Sequence, residues 1–512
     1  MRKFKLSLIW FVLAFACLTG LVYPVFAANN FGSDPSCKAL WRFESAALDV
    51  DSIGTNTLTL VGAPIADAVN FEEGAASILL DGATQYAYIP DASLSAGFPL
   101  NSGDTAKLAT FTFRFRPESP TASDRVVIGK WENNNFSFVF DVTGLSLSIG
   151  WATSNTAADW NWGSIFTFTL NHWYRIAVII DGATNKTCTI IIYDVTAGTY
   201  TYLTHTYSSA LNVSTAAFAI GATADPGAYF SGNIDEVVAF NRKLNLVEIE
   251  SIFNQIYTGP YAPASPGNVF TGDNRFQARW RFEAGALTTD SSPAAGGNGT
   301  NTLTLQGSPN PVLDSFGIME GSDAAYLAAD HSYFKISDSN LSAGFPWISS
   351  GANKKGTVCG WVIVSARGAS FDSGLWAKKV TDNFTGGISA YIARTAPNHL
   401  FVVSDTTVYD TGIAFLLFGI YHVAFVIDNT NNTLHVRVYS VASGIATNYD
   451  TSIVAFGLGS GSFWLGSDNS NSCIGSWLDE FVVANALLSD AEIDAIREQA
   501  FPLGAGNYFF IF

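Results

Sequence analysis

The hexapeptide LSAGFP occurs at Leu94–Pro99 and again at Leu341–Pro346. It is the centre of a longer match, YAYIPDASLSAGFP (Tyr86–Pro99) over YFKISDSNLSAGFP (Tyr333–Pro346), at an offset of 247 residues. The same offset lays YRIAVIIDGATN (Tyr174–Asn185) over YHVAFVIDNTNN (Tyr421–Asn432). LWRFE (Leu40–Glu44) is answered by RWRFE (Arg279–Glu283), NTLTL recurs at Asn56 and Asn301, and the segment Ile234–Ile249 is answered by Leu478–Ile493. All blocks keep their order. The chain is therefore a tandem duplication whose unit, roughly 220–240 residues, is far longer than any solenoid repeat. Between the copies lies YTGPYAPASPGNVFTGDN (Tyr257–Asn274), rich in Pro, Gly and Ala, which reads as a semi-rigid linker.

Within each copy the hydrophobic period is two. TFTFRFRP (Thr110–Pro117), LSLSIGW (Leu145–Trp151), TCTIIIYDV (Thr187–Val195) and LHVRVYSV (Leu434–Val441) alternate or run as β-branched and aromatic stretches. Turn pairs such as Asp181-Gly182 and Asp428-Asn429 separate them. Many short strands with Gly-rich turns predict an all-β chain of two tandem antiparallel β-sandwich (jelly-roll) domains. Each copy ends in a helix signature. Asn245 with Glu248, and Ser489 with Glu492, are capping boxes ahead of apolar positions, and a short helix there is expected to plug one edge of its sandwich. The expected boundaries are 28–38 for an N-terminal leader, 39–257 and 275–501 for the two sandwiches, 258–274 for the linker and 502–512 for an apolar tail. In that tail, GNYFFIF alternates aromatics as an added edge strand would.

Ahead of this lies a basic start (Arg2, Lys3, Lys5), an apolar run from Leu6 to Gly20 and VFA at Val25–Ala27, the pattern of a secretory signal peptide over residues 1–27. No later stretch is long and apolar enough to span a bilayer. The expected location is extracellular or at a cell surface. Charged residues make up only 13% of the chain, and its formal charge of −17 becomes −20 without the three basic leader residues, which argues against nucleic acid and anionic lipid as partners. Cys37, Cys188, Cys359 and Cys473 remain after export, two per copy. The pairing Cys37–Cys188 and Cys359–Cys473 is one reading, and buried free thiols are the other.

These blocks resemble the laminin-G-like, concanavalin A-like jelly-roll domains of exported bacterial proteins. The opening WRFE, the YxxIPDASLS strand-turn, WYRIAVIIDGATN and the terminal AIGATADPGAYFSGNIDEVVAFNRKLNLVEIESIF (Ala219–Phe253) carry the resemblance. Copy two departs from it, with Ile420 against Trp173 and Ala486 near the place of Arg242. The resemblance implies two curved antiparallel sheets per domain with a concave face, on which lectins, glucan-cleaving enzymes, adhesion modules and spacers are all built. It further implies a structural calcium, held by the aspartate of the terminal IDEV-like strand, hence Asp235 and Asp479, with backbone oxygens from the opening segment. Against calcium stands the reading in which Asp235 caps a turn or pairs with Arg42 or Arg242.

Catalysis finds little support in the residues. A retaining glucanase needs two carboxylates about 5–5.5 Å apart. The nearest run, Glu492, Asp494 and Glu498, is misspaced and falls in the capped helix. The histidines (His172, His422 and His435 among them) are too scattered for a triad or metal site. Binding finds more. Sugars pack their C–H faces on aromatic rings. GWATSNTAADWNWGSIF (Gly150–Phe166) carries Trp160 and Trp162 two apart, with Asn155, Asp159 and Ser164 as polar neighbours, whereas copy two retains only Tyr409 there. Trp41, Trp173, Trp280 and Trp361 read as core. The sequence thus predicts a secreted, non-catalytic carbohydrate-binding or adhesion protein whose partner is a polysaccharide, a glycoconjugate or another surface protein. A surface-display spacer and a polysaccharide-degrading enzyme are the alternatives.

Overall fold

The strand Leu108–Pro117 shows why the chain folds in layers. Ala109, Phe111, Phe113 and Phe115 point one way into a buried core, and the intervening Thr110, Thr112 and Arg114 point the other. In this computed structural model residues 29–499 are described, apart from 120–124, 162–165, 225–226, 261–269, 271–272, 293–300, 315, 329–331, 367–372, 383–385, 394–397, 470–471 and 474. The expected signal peptide at 1–27 and the tail at 502–512 lie outside the described residues, as do most of the linker and Trp162 and Ser164.

Among the described residues the first copy forms two antiparallel sheets. One has Leu108–Pro117 at its centre, flanked by Tyr174–Asp181 and Ser231–Phe240. Thr187–Asp194 and Thr199–Thr206 extend it on one side, Ser77–Asp81 and Ile65–Asp67 on the other, and Cys37–Trp41 adds to Ser231–Phe240. The second sheet runs Ala157–Asn161, Ser146–Ser154, Asn135–Thr143, Val126–Glu132, Phe218–Ile220, Tyr86–Ile89 and Thr59–Val61. Between the sheets Phe111 stacks on Phe138 and Phe218, with centroids 5.1 and 5.6 Å apart, and Trp41 stacks on Phe218 at 5.6 Å. Each such buried ring stabilises the sandwich by about 1.5–3 kcal/mol. The second copy repeats both sheets: one is built around the neighbouring strands Lys355–Ala366 and Gly475–Ala484, and the other has Ser373–Lys379 at its centre between Phe463–Leu465 and Gly387–Ile392. Both domains are β-sandwiches followed by a short helix, as the sequence predicts.

The blocks shared by the copies fasten one another. Trp41 Nε1 donates to the Asn56 carbonyl at 2.8 Å, and the Asn56 side chain bonds Asp51 and accepts from the Ser95 N–H of LSAGFP at 2.7 Å. Trp280, Asn301, Asp290 and Ser342 repeat this knot in copy two. Asp91, ahead of the hexapeptide, is paired with buried Lys130, and Asp338 is paired with buried Lys378 at 2.9 Å.

Both capping boxes form, on Leu246–Phe253 and Asp490–Arg497. The helices do not plug a sandwich edge. Ile249, Ile252 and Phe253 pack with Ala177, Ile179 and Val238 on the outer face of the larger sheet, which β-branched and small residues leave apolar. Ile493 and Ile496 do the same against Val426 and Val482.

The expected Cys37–Cys188 bridge is not made. Cys188 points into the inter-sheet core while Cys37 packs with Phe31 and Phe240 on the outer side, so the sheet itself separates the thiols. Cys359 is likewise a free, buried thiol under its helix. Burial pushes all three thiols well above their ordinary acidity range. Trp41, Trp280 and Trp361 are buried, but Trp173 is only partly so. The sandwiches meet through aromatic contacts. Tyr202 of the first lies 4.8 Å from Phe418 and 5.8 Å from both Phe316 and Trp477 of the second, and Leu246 N–H donates to the Phe316 carbonyl.

Candidate functional site

The outer face of the smaller sheet in copy one carries a row of small residues that ends in large rings. Cross-strand register aligns Ala219, Gly129, Val139, Gly150 and Trp160 on this face. Gly150 has no side chain to fill the space, and a β-carbon there would meet Val139 at 2.7 Å and the rings of Trp131 and Trp160 at 3.1 Å. The two indoles therefore close over the glycine, with centroids 5.2 Å apart and planes tilted by 59°. Trp131 also stacks on Phe136 at 4.1 Å. Trp160 remains 51% exposed. The result is a three-ring shelf whose outer ring is half in water, an arrangement that favours an apolar ligand face.

The residues expected to accompany Trp160 do not. Asp159 stands opposite Trp151 and so on the other face of the sheet. Asn155 lies at the hairpin turn, where its Oδ1 accepts from Asn212 Nδ2 at 2.7 Å. Trp162 and Ser164 lie outside the described residues. In their place are Trp131 and Phe136, which the sequence reading missed. The signal was available: Trp131 sits in GKWENNNF, as polar a setting as the one that drew attention to Trp160.

Copy two does not rebuild the shelf. The equivalent row is Ala377, Ser389, Val403 and Val408, so Val403 replaces Gly150 and Val408 replaces Trp160. Lys379 follows the ion-paired Lys378, as Trp131 follows Lys130, and donates to Ser389 Oγ at 3.0 Å. Trp464, where copy one has Ala219, is 3% exposed under the Lys335 ammonium, which lies 4.4 Å from its ring. Tyr409 packs against the core, with its hydroxyl accepting from Val454 N–H.

Asp235 and Asp479 sit at a bulge in the terminal strand of each copy, beside Glu236 and Glu480 at φ of 43° and 46°. Asp235 Oδ2 accepts the N–H groups of Glu72 and Glu73 at 2.8 and 2.9 Å, and Asp479 Oδ2 accepts those of Met319 and Glu320. Neither Arg42 nor Arg242 is the partner of Asp235. Arg42 meets Glu73 and Glu236, while Arg242 meets Asp34 and Glu248. Burial pushes the Asp235 carboxyl up to about 7 and Asp479 well above its ordinary value, against the opposing pull of the backbone bonds. Each aspartate thus clips a strap of chain onto the sheet. Among the described residues no three His, Cys, Asp or Glu side chains are grouped to hold a metal. Among the described residues these histidines serve hydrogen bonds to carboxylates or packing: His172 with Asp194, His399 with Asp410, His435 with Asp450 and Asp490, and His422 edge-on to Trp361.

No curated protein sequence matches the chain. Similar solved structures include domain 4 of AbnA, an extracellular arabinanase of Geobacillus stearothermophilus, solved with arabinotriose. That match has 17% identity over 44% of this chain and 98% of that one, at a TM-score of 0.32. Another is the binding domain of Paraclostridial Mosquitocidal Protein 1, with 10% identity over 91% and 96% and a TM-score of 0.34. A third is the binding domain of botulinum neurotoxin DC, solved with rat synaptotagmin II, with 9% identity over 90% and 97% and a TM-score of 0.33. By sequence, residues 81–250, most of the first sandwich, match the family model of the concanavalin A-like lectin/glucanases superfamily.

Proposed function

We propose that this is an exported, non-catalytic glycan-binding protein whose first sandwich holds a polysaccharide or glycoconjugate on the Trp131–Phe136–Trp160 shelf. The observation that carries this reading is the half-exposed Trp160 ring, held over Gly150 by a second indole. A core residue would be covered, and an incidental surface ring would not require a glycine beneath it. The terminal-strand carboxylates that could serve hydrolysis, Asp235 and Glu236, are buried among backbone donors and arginines rather than beside the shelf.

The test is glycan-array screening of the full chain, followed by calorimetry on whatever binds. About half of a tryptophan's 150–250 Å² remains to be covered, so Trp160→Ala should weaken binding roughly 10- to 100-fold. Equal affinity in the variant would reduce the shelf to packing, and a blank array would favour the spacer reading. Export itself is tested by N-terminal sequencing of secreted protein, with a start after Ala27 expected. Calcium at Asp235 and Asp479 is a separate proposal. Its support is the second oxygen of each buried carboxyl, which has no hydrogen-bond partner among the described residues. An ion there would need backbone oxygens as its remaining ligands.

A further inference from the structure

The outer face of the hairpin Thr187–Asp194/Thr199–Thr206 changes character along its length. At one end it presents Tyr193, Tyr200 and Tyr202, which dock the helix and the second sandwich. At the other end it presents two cross-strand threonine pairs, Thr187 opposite Thr206 and Thr189 opposite Thr204. This threonine end is not covered by the docking. It forms one wall of an open cleft of about 1090 Å³ between the two sandwiches, whose far wall includes Val312–Asp314, Phe316 and Tyr326 of the second copy. Drug-sized ligand sites have volumes of about 300–1,000 Å³, so this cleft has room for several sugar units.

The duplication supplies an internal control. The same outward row in copy two is Thr433, His435 and Arg437, facing Ser452, Asp450 and Asn448. There the row carries an arginine and carboxylates and is tied down: His435 hydrogen-bonds Asp450 and Asp490, and Arg437 pairs with Asp490 and Asp494 of the copy's own helix. In copy one, hydroxyls replace the charges at the position that faces the cleft. Thr189 and Thr204 bond each other at 2.9 Å and both also interact with the Tyr202 hydroxyl, and the remaining lone pairs of the two threonines are open to a ligand's hydroxyls.

The cleft's cations are already matched. Arg242 pairs with Asp34 and Glu248, and Lys243 pairs with Asp181 at 3.1 Å. Asp314 and Asp323 also line it. An anionic ligand would meet carboxylates without a spare cation, and a purely apolar one would strand the threonine hydroxyls. A neutral polyhydroxylated chain satisfies both, with hydroxyls on the threonine row and C–H faces against the Phe316 and Tyr326 rings.

We propose that the cleft between the sandwiches is a second binding site, for a neutral oligosaccharide, distinct from the tryptophan shelf. It deepens the glycan-binding reading without depending on the shelf. The experiment uses the full chain carrying Trp160→Ala, so that the shelf is disabled, titrated by calorimetry. The probes are uncharged hexasaccharides of α- and β-linked glucose, β-linked xylose, α-linked arabinose and β-linked mannose. At least one should bind saturably.

Thr204→Trp, at an exposed position, should fill the cleft and abolish that binding with an unchanged melting temperature. Thr204→Ala, which keeps the space and loses a hydroxyl, should weaken it about 3- to 10-fold. No binding of any probe by the Trp160→Ala chain overturns the cleft and leaves the shelf standing if the unmutated chain binds. Full affinity in Thr204→Trp also overturns it, as does preference for a sulfated hexasaccharide over its neutral parent. Equal binding by the unmutated and Trp160→Ala chains, abolished in both by Thr204→Trp, would instead remove the shelf alone.

Discussion

Glu250 offers a sharp test of the packing between helix and sheet. It lies on the helix Leu246–Phe253 with its side chain turned inward, 6% exposed, and Oε2 has no hydrogen-bond partner among the described residues. Burial alone pushes its carboxyl up to about 8. A carboxyl that keeps its proton in the folded state, at a pH where the unfolded chain has lost it, contributes stability that declines as pH rises through the gap. At pH 6.5 the folded protein holds this proton, and by pH 8 half of it is gone. At 1.36 kcal/mol per tenfold change, Glu250 removes about 1–2 kcal/mol of stability between pH 6.5 and 8.

Asp235, at about 7, loses part of its contribution in the same window, and Glu320, at about 8, acts alike in the second sandwich. The opposite trend of His422, whose pKa burial lowers to about 3, is confined below about pH 6.5, the ordinary value of an unfolded histidine. The assay is urea unfolding of wild type and Glu250→Gln at half-unit steps from pH 6.5 to 8, in chelator. The variant's lead over wild type should grow by about 1–2 kcal/mol between pH 6.5 and pH 8. Parallel curves would refute the argument, since they would mean that Glu250 reaches water and never carried the extra proton.

Three further outcomes follow from the same structure. Lys130→Met should destabilise the first sandwich by about 3–5 kcal/mol, because it strands the Asp91 carboxylate in the interior; urea unfolding measures it, and Lys130→Met with Asp91→Leu should recover much of the loss. Reductant should leave the melting curve of the first sandwich unchanged, and a thiol reagent should label Cys37, Cys188 and Cys359 only after denaturation. If Asp235 and Asp479 hold calcium, calcium should raise the melting temperature, chelator should reverse it, and each Asp→Asn change should remove the response of its own sandwich.

What was legible in this sequence, and what was not, divides along the duplication. The blocks that repeat are those that fasten the scaffold. Trp41, Asn56 and Ser95 are hydrogen-bonded to one another, and so are Trp280, Asn301 and Ser342. Asp91 and Asp338 each anchor a buried lysine. Any sandwich of this design needs those contacts, so two copies keep the same letters, and the offset alone reveals the duplication. A strand's period of two also tells which residues share a face. It does not tell which strand stands beside which.

The shelf depends on that second kind of information. Trp131 and Trp160 are 29 residues apart and stand on strands separated by two others, Asn135–Thr143 and Ser146–Ser154; they meet only because the second of these places Gly150 between the rings. The sequence offers neighbours of Trp160 only along the chain, at Asn155, Asp159 and Trp162. The structure supplies them across the sheet. The disulfide expectation failed for the same reason, since sharing a copy is no guide to sharing a face. The sites lie where the copies differ: Gly150 against Val403, Trp160 against Val408, and Thr189 against His435. Differences between the copies at aligned registers therefore mark the shelf and the cleft together.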